Sequence, residues 1–166
     1  MRKERNRKLV IASIIILAVL SRIVPHPPNF APITGIALFS SKKINNKLSG
    51  VFLPIIPLFI SDLFLGIGLI NIFVYLTFII IYFLGVISTK IDFKTVFLSS
   101  VIFFILTNLG VWYLSYPKNI EGLVACFTLA IPFFFNTILG DLFYSFILFT
   151  SFKSAEKFKL KPAQSN

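Results

Sequence analysis

Residues 21–35 read SRIVPHPPNFAPITG, and this stretch separates the first two hydrophobic segments of the chain. It places one arginine, one histidine and four prolines between segments that are almost entirely apolar. Proline has no backbone N–H and disfavours helical geometry in the residue before it, so the stretch predicts a stiff, irregular loop. The hydrophobic segments on either side are therefore separate helices.

The rest of the chain is too apolar for a water-soluble protein of its size. Hydrophobic residues make up 57% of its 166 residues, and 21 of these are phenylalanine. Several runs reach the roughly 17 to 25 residues that cross the hydrocarbon core as a helix, and strand-like alternation is absent. We therefore predict an all-α membrane protein, a bundle with a single domain over residues 1–166.

The hydrophobic runs and the basic residues together predict the topology. We predict six spans, at about residues 9–24, 30–41, 48–70, 72–88, 95–115 and 123–150. With this count, 14 of the 16 lysines and arginines lie on one side of the membrane. The positive-inside rule then places both termini in the cytoplasm of a multi-pass protein of the cell's inner (plasma) membrane.

A few polar residues interrupt the spans, and each costs about 2.5 to 3.5 kcal/mol in the bilayer centre when it is charged. They are Arg22, Asp62, Asn108, Asn136 and Asp141. Such groups face the interior of a bundle or a water-filled cavity, so we expect them to converge on a pocket that opens outward. Trp112 follows Asn108 at helical spacing and is expected on the same wall.

Two outside loops complete the predicted pocket. The proline-rich loop adds His26 and Asn29, and it is expected to dip inward because the second span is too short to cross alone. The loop at residues 115–122, SYPKNIEG, adds Tyr116 and Glu121. The predicted solute-binding residues are therefore Arg22, His26, Asn29, Asp62, Asn108, Trp112, Tyr116, Glu121, Asn136 and Asp141.

A purely structural interpretation of the same residues is also open. Arg22 would then neutralise Asp62, the asparagines would bridge helices, and the aromatic residues would form an interfacial belt. A lone histidine between prolines more often makes one hydrogen bond than binds a metal. The single cysteine, Cys126, forms no intrachain disulfide and is interpreted as a packing residue.

Several kinds of chemistry find no support in the sequence. No GxxxxGK[ST] phosphate-binding loop occurs, and the basic residues lie beside the spans rather than on one face that could bind nucleic acid. We predict no cofactor, no metal site, no nucleic-acid partner and no catalytic residues.

Four segments carry a resemblance to known proteins, at residues 25–39 (PHPPNFAPITGIALF), 57–66 (PLFISDLFLG), 107–117 (TNLGVWYLSYP) and 122–141 (GLVACFTLAIPFFFNTILGD). They resemble an uncharacterised family of small prokaryotic integral membrane proteins that are described as transport proteins. More distantly, the order of a lidded first loop, SGVFLPIIPLFISDL at residues 49–63 and a late aspartate looks like the S components of energy-coupling factor transporters.

The S-component resemblance implies a six-helix protein that captures a vitamin-like solute outside the cell. It also implies two kinds of partner, a transmembrane coupling subunit and two cytoplasmic ATPases. The chain departs from the pattern at the first helix, where S components commonly carry alanines four residues apart for docking the partner. Here Ala12 is followed four residues later by Ile16, and Ala18 by Arg22.

A solute-binding membrane transport component is therefore the expected function, and three alternatives stay open. A stand-alone carrier would couple transport to an ion at Asp62 or Asp141. An intramembrane aspartyl hydrolase would use the same two aspartates as acid and base. A structural membrane protein would bind no small solute.

Overall fold

Six helices follow one another in a computed structural model that describes the backbone of residues 2–159 and the side chains of residues 9–154. They are α1 (Arg2–Ile23), α2 (Ile33–Lys43), α3 (Lys47–Leu65), α4 (Ile70–Ile87), α5 (Phe93–Ser115) and α6 (Ile120–Lys159). No strand occurs in this range. Residue 1 and residues 160–166, parts of the termini predicted to be cytoplasmic, lie outside the described range.

Length and hydropathy qualify four of these helices as membrane spans. They are α3, α4, α5 and the part of α6 from Ile120 to Ser154. The apolar part of α1, Leu9–Ile23, is shorter, and the 11 residues of α2 rise only about 16 Å. The chain is thus an α-helical membrane protein, as predicted, whereas the count of six spans stays a prediction.

The helix boundaries differ from the predicted spans where glycine, proline and capping residues intervene. α3 ends at Leu65 rather than near residue 70, because Gly66 follows it with a φ of 108° that favours glycine. α2 begins after Pro32, three residues later than predicted. α6 begins three residues earlier, since the Asn119 side chain accepts a hydrogen bond from the backbone N–H of Gly122 at 2.9 Å.

The short helix α2 forms the centre of the bundle. It packs against α3, α4, α5 and α6, and all its residues from Ile33 to Ser40 are buried. Small residues permit this close approach: a Cβ placed on Gly35 would lie 3.2 Å from the Ser145 backbone nitrogen of α6. Helices in lipid gain their packing energy from such close contacts rather than from a hydrophobic driving force.

The two ends of the bundle differ in their charges. The loops at residues 44–46 and 88–92 form a basic end, flanked by Lys42, Lys43, Lys47, Lys90 and Lys94. The loops at residues 24–32, 66–69 and 116–119 form a polar end, where Arg22 and Lys118 are the only described cations. At the basic end, the Lys42 ammonium donates to the backbone carbonyls of Val86 and Ser88 and so ties α2 to the end of α4.

Because α2 ends at the basic end and is only about half as long as a span, its first residue lies deep in the bundle. Residues 24–32, here called the proline loop, therefore run from the polar end into the interior. Phe30 of this loop contacts the rings of Phe143 and Tyr144 on α6, at centroid distances of 5.8 and 5.4 Å.

The composition of the proline loop suits its irregular path from the polar end into the bundle. Four of its nine residues are prolines, which carry no N–H that would need a partner. Three of the five remaining N–H groups bond within the chain: Val24 to Leu20, Phe30 to Pro27 and Ala31 to Asn29. Irregular backbone is tolerated at this depth where it is buried in protein or lines a cavity.

Single cysteines at Thr89 and Lys118 test the orientation of the bundle. In a Cys126→Ala background, we expect an impermeant thiol reagent to label Lys118→Cys on intact cells and Thr89→Cys only after lysis. The positive-inside rule places the loop that holds Thr89 in the cytoplasm. Labelling of both positions on intact cells would contradict six spans, and labelling of Thr89→Cys alone would reverse the orientation.

Gly140 on α6 tests the position of the proline loop. A Cβ at this position would lie 2.9 Å from the Cα of Phe30, which is backbone and cannot rotate away. We expect Gly140→Ala to lower the free energy of unfolding in detergent by about 1 to 3 kcal/mol. The higher helix propensity of alanine offsets part of this loss. The control is Gly68→Ala, whose Cβ meets only the Asn71 side-chain oxygen at 3.8 Å. Equal stability of the two variants would contradict the contact.

Candidate functional site

Asp62 lies one turn before the end of α3 and is only 2% exposed. The Arg22 guanidinium, at the end of α1, donates from Nη2 to Asp62 Oδ1 at 2.5 Å. Its Nε donates to the Ser61 hydroxyl at 2.6 Å. For this pair the structural interpretation holds, because Arg22 neutralises Asp62 directly.

The second oxygen of Asp62 binds two side chains of α4. Asn71 Nδ2 and the Tyr75 hydroxyl donate to Asp62 Oδ2 at 2.6 and 2.7 Å. The Asn71 side-chain oxygen in turn accepts from the backbone N–H of Gly68 at 2.9 Å and fixes the loop between α3 and α4. Asp62 therefore joins α1, α3 and α4 at the polar end of the bundle.

Asp141 on α6 is equally buried but has a different kind of partner. The Ser100 hydroxyl of α5 donates to Asp141 Oδ2 at 2.6 Å, and the Thr34 hydroxyl of α2 also bonds to the carboxyl group. Among the described side chains, no lysine or arginine lies within ion-pair distance of Asp141. Asp141 thus joins α2, α5 and α6 through hydroxyl groups alone.

Both aspartates line a cavity of about 170 Å³, here called the polar chamber. Its polar lining residues are Arg22, Asn29, Thr34, Asp62, Asn71, Thr137 and Asp141. A second cavity of about 400 Å³, here called the apolar chamber, lies beside it. Aromatic and aliphatic side chains dominate its wall, including Val74, Phe103, Phe104, Val111, Leu129 and Phe133.

The two chambers are adjacent to each other. Both are lined by Asn29, Ile70, Val74, Phe103 and Thr137. The chambers run from the polar end to the middle of the bundle. Asn71 lies in the first turn of α4 at the polar end, whereas Thr34 lies in the first turn of α2, deep in the bundle. A narrow polar chamber thus lies beside a wider apolar one. Small-molecule sites commonly combine apolar walls with a few polar groups in this way.

Asn29 of the proline loop lies where the chambers meet. Its φ is +64°, the left-handed region that few residues other than glycine and asparagine adopt readily. Pro28 before it and the hydrogen bond from Phe30 N–H to the Pro27 carbonyl, at 3.0 Å, complete a tight turn. The turn therefore presents the Asn29 side chain to both chambers.

The structure brings six of the ten predicted residues to the cavity. Arg22, Asn29, Asp62 and Asp141 line the polar chamber, and Asn29, Asn108 and Tyr116 line the apolar chamber. The Asn108 amide donates to the Phe104 carbonyl of its own helix at 2.7 Å, which leaves its side-chain oxygen without a donor among the described residues. That these residues bind a solute stays a prediction.

The other four predicted residues line neither chamber. His26 Nδ1 lies 2.7 Å from the Val24 carbonyl in the proline loop. Trp112 Nε1 donates to the Pro117 carbonyl at 3.0 Å and so fixes the loop between α5 and α6. Glu121 is exposed at the start of α6, and Asn136 is half-buried on the same helix.

Lys118 reinforces the position of Trp112. Its ammonium donates to the Trp112 and Tyr116 carbonyls at 2.9 and 2.7 Å, and it lies over the Trp112 ring at 5.8 Å. Helical spacing placed Trp112 on the Asn108 face, but α5 ends three residues later and the loop recruits the indole.

Sequence reasoning missed the partners of the two aspartates. Asn71 and Tyr75 are spaced by four residues on α4, so they share one face, but Asn71 falls between the third and fourth predicted spans. Thr137 is four residues before Asp141, a spacing that predicts both on one wall, and both line the polar chamber. Thr34 and Ser100 gave no signal, because single hydroxyl residues are common in membrane helices and often bond to their own backbone. Thr137 does so, donating to the Phe133 carbonyl at 2.9 Å.

The described residues include no group of three histidine, cysteine, aspartate or glutamate side chains that could hold a metal ion. Cys126 is buried and lines the apolar chamber, with its Sγ 3.5 Å from the Asn108 carbonyl. It is a packing residue in this structure. The described lining of the cavity offers hydrogen bonds, charges and apolar contacts.

Comparison with known proteins places the whole cavity inside one family. The model of that family, described as a family of unknown function (DUF6580), matches residues 2–163. The chain belongs to DUF6580. No curated protein and no solved structure matches the chain. The match to DUF6580 covers all six helices, so both aspartates and the proline loop lie within the family's own extent.

The Arg22–Asp62 pair predicts a strong coupling in stability. Arg22→Ala and Asp62→Ala should each lower the free energy of unfolding in detergent by about 3 kcal/mol or more, since each leaves a buried charge without its partner. The double variant should lose clearly less than the two single losses combined. The control cycle is Lys90→Ala with Asp92→Asn, an exposed pair with N···O at 3.5 Å whose two losses should be nearly additive because solvent screens the pair. Additive losses at Arg22 and Asp62 would contradict the pairing.

Proposed function

We propose that this protein is a membrane transport component that binds a small, vitamin-like solute in the two chambers. The observation that supports the proposal is a polar chamber that lies directly beside an apolar one and shares five lining residues with it. The apolar chamber, at about 400 Å³, lies in the range of about 300 to 1,000 Å³ that is typical of small-molecule sites, and the polar chamber adds about 170 Å³ beside it. In this proposal the solute contacts Asn29 and Asp141 on the polar side and Asn108 and Tyr116 on the apolar side, and the Arg22–Asp62 ion pair closes the polar end of the chamber.

The distribution of charges supports an outward-facing cavity. Five lysines flank the loops of the basic end, whereas Arg22 and Lys118 are the described cations of the polar end. With the basic end in the cytoplasm, the polar end and the chambers face the outside. The proline loop then covers the cavity from the outside, and solute enters past the turn that holds Asn29.

A binding site explains the cavity better than a purely structural bundle does. A bundle held together only by packing would fill its interior, because an empty space forfeits contacts on every wall. Here charged and amide side chains line open space, and a polar cavity of this size holds water or a ligand. A hydrolase is disfavoured, because Asp62 and Asp141 bond to separate sets of partners.

The energy for uptake would come from partner subunits. The sequence has no phosphate-binding loop, so ATP-driven uptake requires a transmembrane coupling subunit with two cytoplasmic ATPases, as the S-component resemblance implies. A stand-alone ion-coupled carrier is the second candidate. One observation favours it: Asp141 is a buried carboxyl group that has no described cationic partner. Uptake that collapses with the ion gradient rather than with ATP would support the carrier.

Native mass spectrometry of the protein purified from its own host tests the proposed function. We expect a co-purified small molecule on part of the wild-type protein. Asn29→Gly should reduce the occupied fraction about tenfold, because it removes a side chain that lines both chambers. Glycine adopts the positive φ of this turn freely, so the free energy of unfolding of the unliganded variant should change by less than about 1 kcal/mol.

Asn136→Ala is the matched control, because Asn136 also carries an amide but lines neither chamber. Its occupied fraction should equal that of the wild type. A wild-type protein without any bound small molecule would argue against the proposed function. The same holds if Asn29→Gly and the wild type are occupied equally.

A further inference from the structure

The charges that line the polar chamber do not balance. Three ionisable side chains face it: Arg22 from α1, Asp62 from α3 and Asp141 from α6. The helices α2, α4 and α5 contribute polar groups near the aspartates, namely Thr34, Asn71, Tyr75 and Ser100, and none of these carries a charge at neutral pH. Arg22 and Asp62 neutralise each other, so the charge of Asp141 is left over when all three groups are ionised.

The Arg22–Asp62 pair needs nothing from a ligand. Asp62 accepts hydrogen bonds on both oxygens, from Arg22 on one and from Asn71 and Tyr75 on the other. Arg22 is held in addition by the Ser61 hydroxyl. An anionic ligand at Arg22 would have to compete with a carboxylate that is already in place.

Asp141 is in the opposite situation. Its described partners are the hydroxyls of Ser100 and Thr34, which orient the carboxyl group but bring no positive charge. An ionised carboxylate that is 2% exposed needs a cation close by, because the cost of stranding it in the bilayer interior is several kcal/mol. The described residues supply none, so the carboxyl group either keeps its proton or meets a cation that comes from outside the chain.

The apolar chamber indicates the kind of cation. Phe103, Phe104, Phe133 and Tyr116 line it, and aromatic faces attract cations as well as apolar groups. The chamber joins the polar chamber at Thr137, which lies one helical turn before Asp141 on the same face of α6. A molecule with an apolar body and one charged nitrogen would fill both compartments together.

We propose that the solute is an organic cation, which places its apolar body in the apolar chamber and its charged nitrogen against Asp141. The inference rests on the proposed function and deepens it, since it names the chemical class of the solute. Asp141 is the binding counter-ion, Ser100 and Thr34 orient its carboxyl group, and the Arg22–Asp62 pair closes the polar end of the chamber.

A matched set of three probes tests the charge preference. Phenethylamine is a cation at neutral pH, 2-phenylethanol is neutral and 3-phenylpropanoate is an anion, while all three carry the same ring. Their affinities are measured from the shift of the thermal unfolding temperature of the purified protein in detergent. We expect phenethylamine to stabilise the wild type most, and Asp141→Asn to weaken its binding about 10- to 100-fold.

Asp92→Asn is the control for the loss of one carboxylate. Asp92 caps α5 outside the spans, and the hydrogen bond from the Thr95 backbone N–H holds the pKa of Asp92 below its ordinary value, so this residue is charged at neutral pH. Asparagine caps helices as well as aspartate does, so the fold should persist. Phenethylamine should bind Asp92→Asn and the wild type equally.

The outcomes separate this inference from the proposed function. Equal effects of the three probes, or a preference for 3-phenylpropanoate, would overturn the cation and leave solute binding standing. Stabilisation by sodium ions or by acid, lost in Asp141→Asn without discrimination among the probes, would assign Asp141 to a coupling ion instead.

Native mass spectrometry decides the case in which no probe shifts the unfolding temperature. A co-purified molecule with a basic or quaternary nitrogen would support the cation, and one without such a nitrogen would overturn it. If no molecule co-purifies and no probe binds, the cation inference and the proposed function both fail.

Discussion

The fold depends on the burial of one helix that is too short to cross the bilayer. α2 is surrounded by four other helices, so its first residue must begin deep inside the bundle. The chain can reach that point only as irregular backbone, and the proline loop meets this demand because four of its nine residues lack an N–H group. The same path of the chain brings Asn29 and Thr34 to the cavity. The requirement to bury α2 thus creates the wall on which the candidate site is built.

Two aspartates in the same local sequence, Asp-Leu-Phe, have opposite surroundings. Asp62 meets a guanidinium, an amide and a phenol, and it joins three helices by charge and hydrogen bonds. Among the described residues, Asp141 meets only hydroxyls and joins three other helices without a cation. Identical side chains therefore separate into a structural group and an available group. The difference arises from the neighbouring helices that face each carboxylate, not from the local sequence.

Composition and periodicity were enough to predict the helical class, the order of the six helices and the convergence of Arg22, Asp62 and Asp141. These features follow from the cost of polar groups in lipid, which acts on each residue separately. The sequence could not assign Trp112, whose indole turns to a loop carbonyl, or Asn71 and Tyr75, whose role depends on a residue of another helix. Tertiary packing decides which group a polar side chain bonds to, so the sequence around a hydroxyl residue such as Ser100 does not reveal its partner.

The unequal lengths of the helices impose a shape on the surrounding lipid. The apolar part of α1, with its 15 residues, extends about 22 Å, whereas the 23 residues of α5 extend about 34 Å. A bilayer with a core of about 30 Å matches α5 with little tilt but exceeds α1. If α1 crosses the bilayer as predicted, lipid tails beside it shorten or splay, and the hydrocarbon layer is then thinnest at this side of the molecule. A change in membrane thickness would therefore act on α1, the helix that carries Arg22.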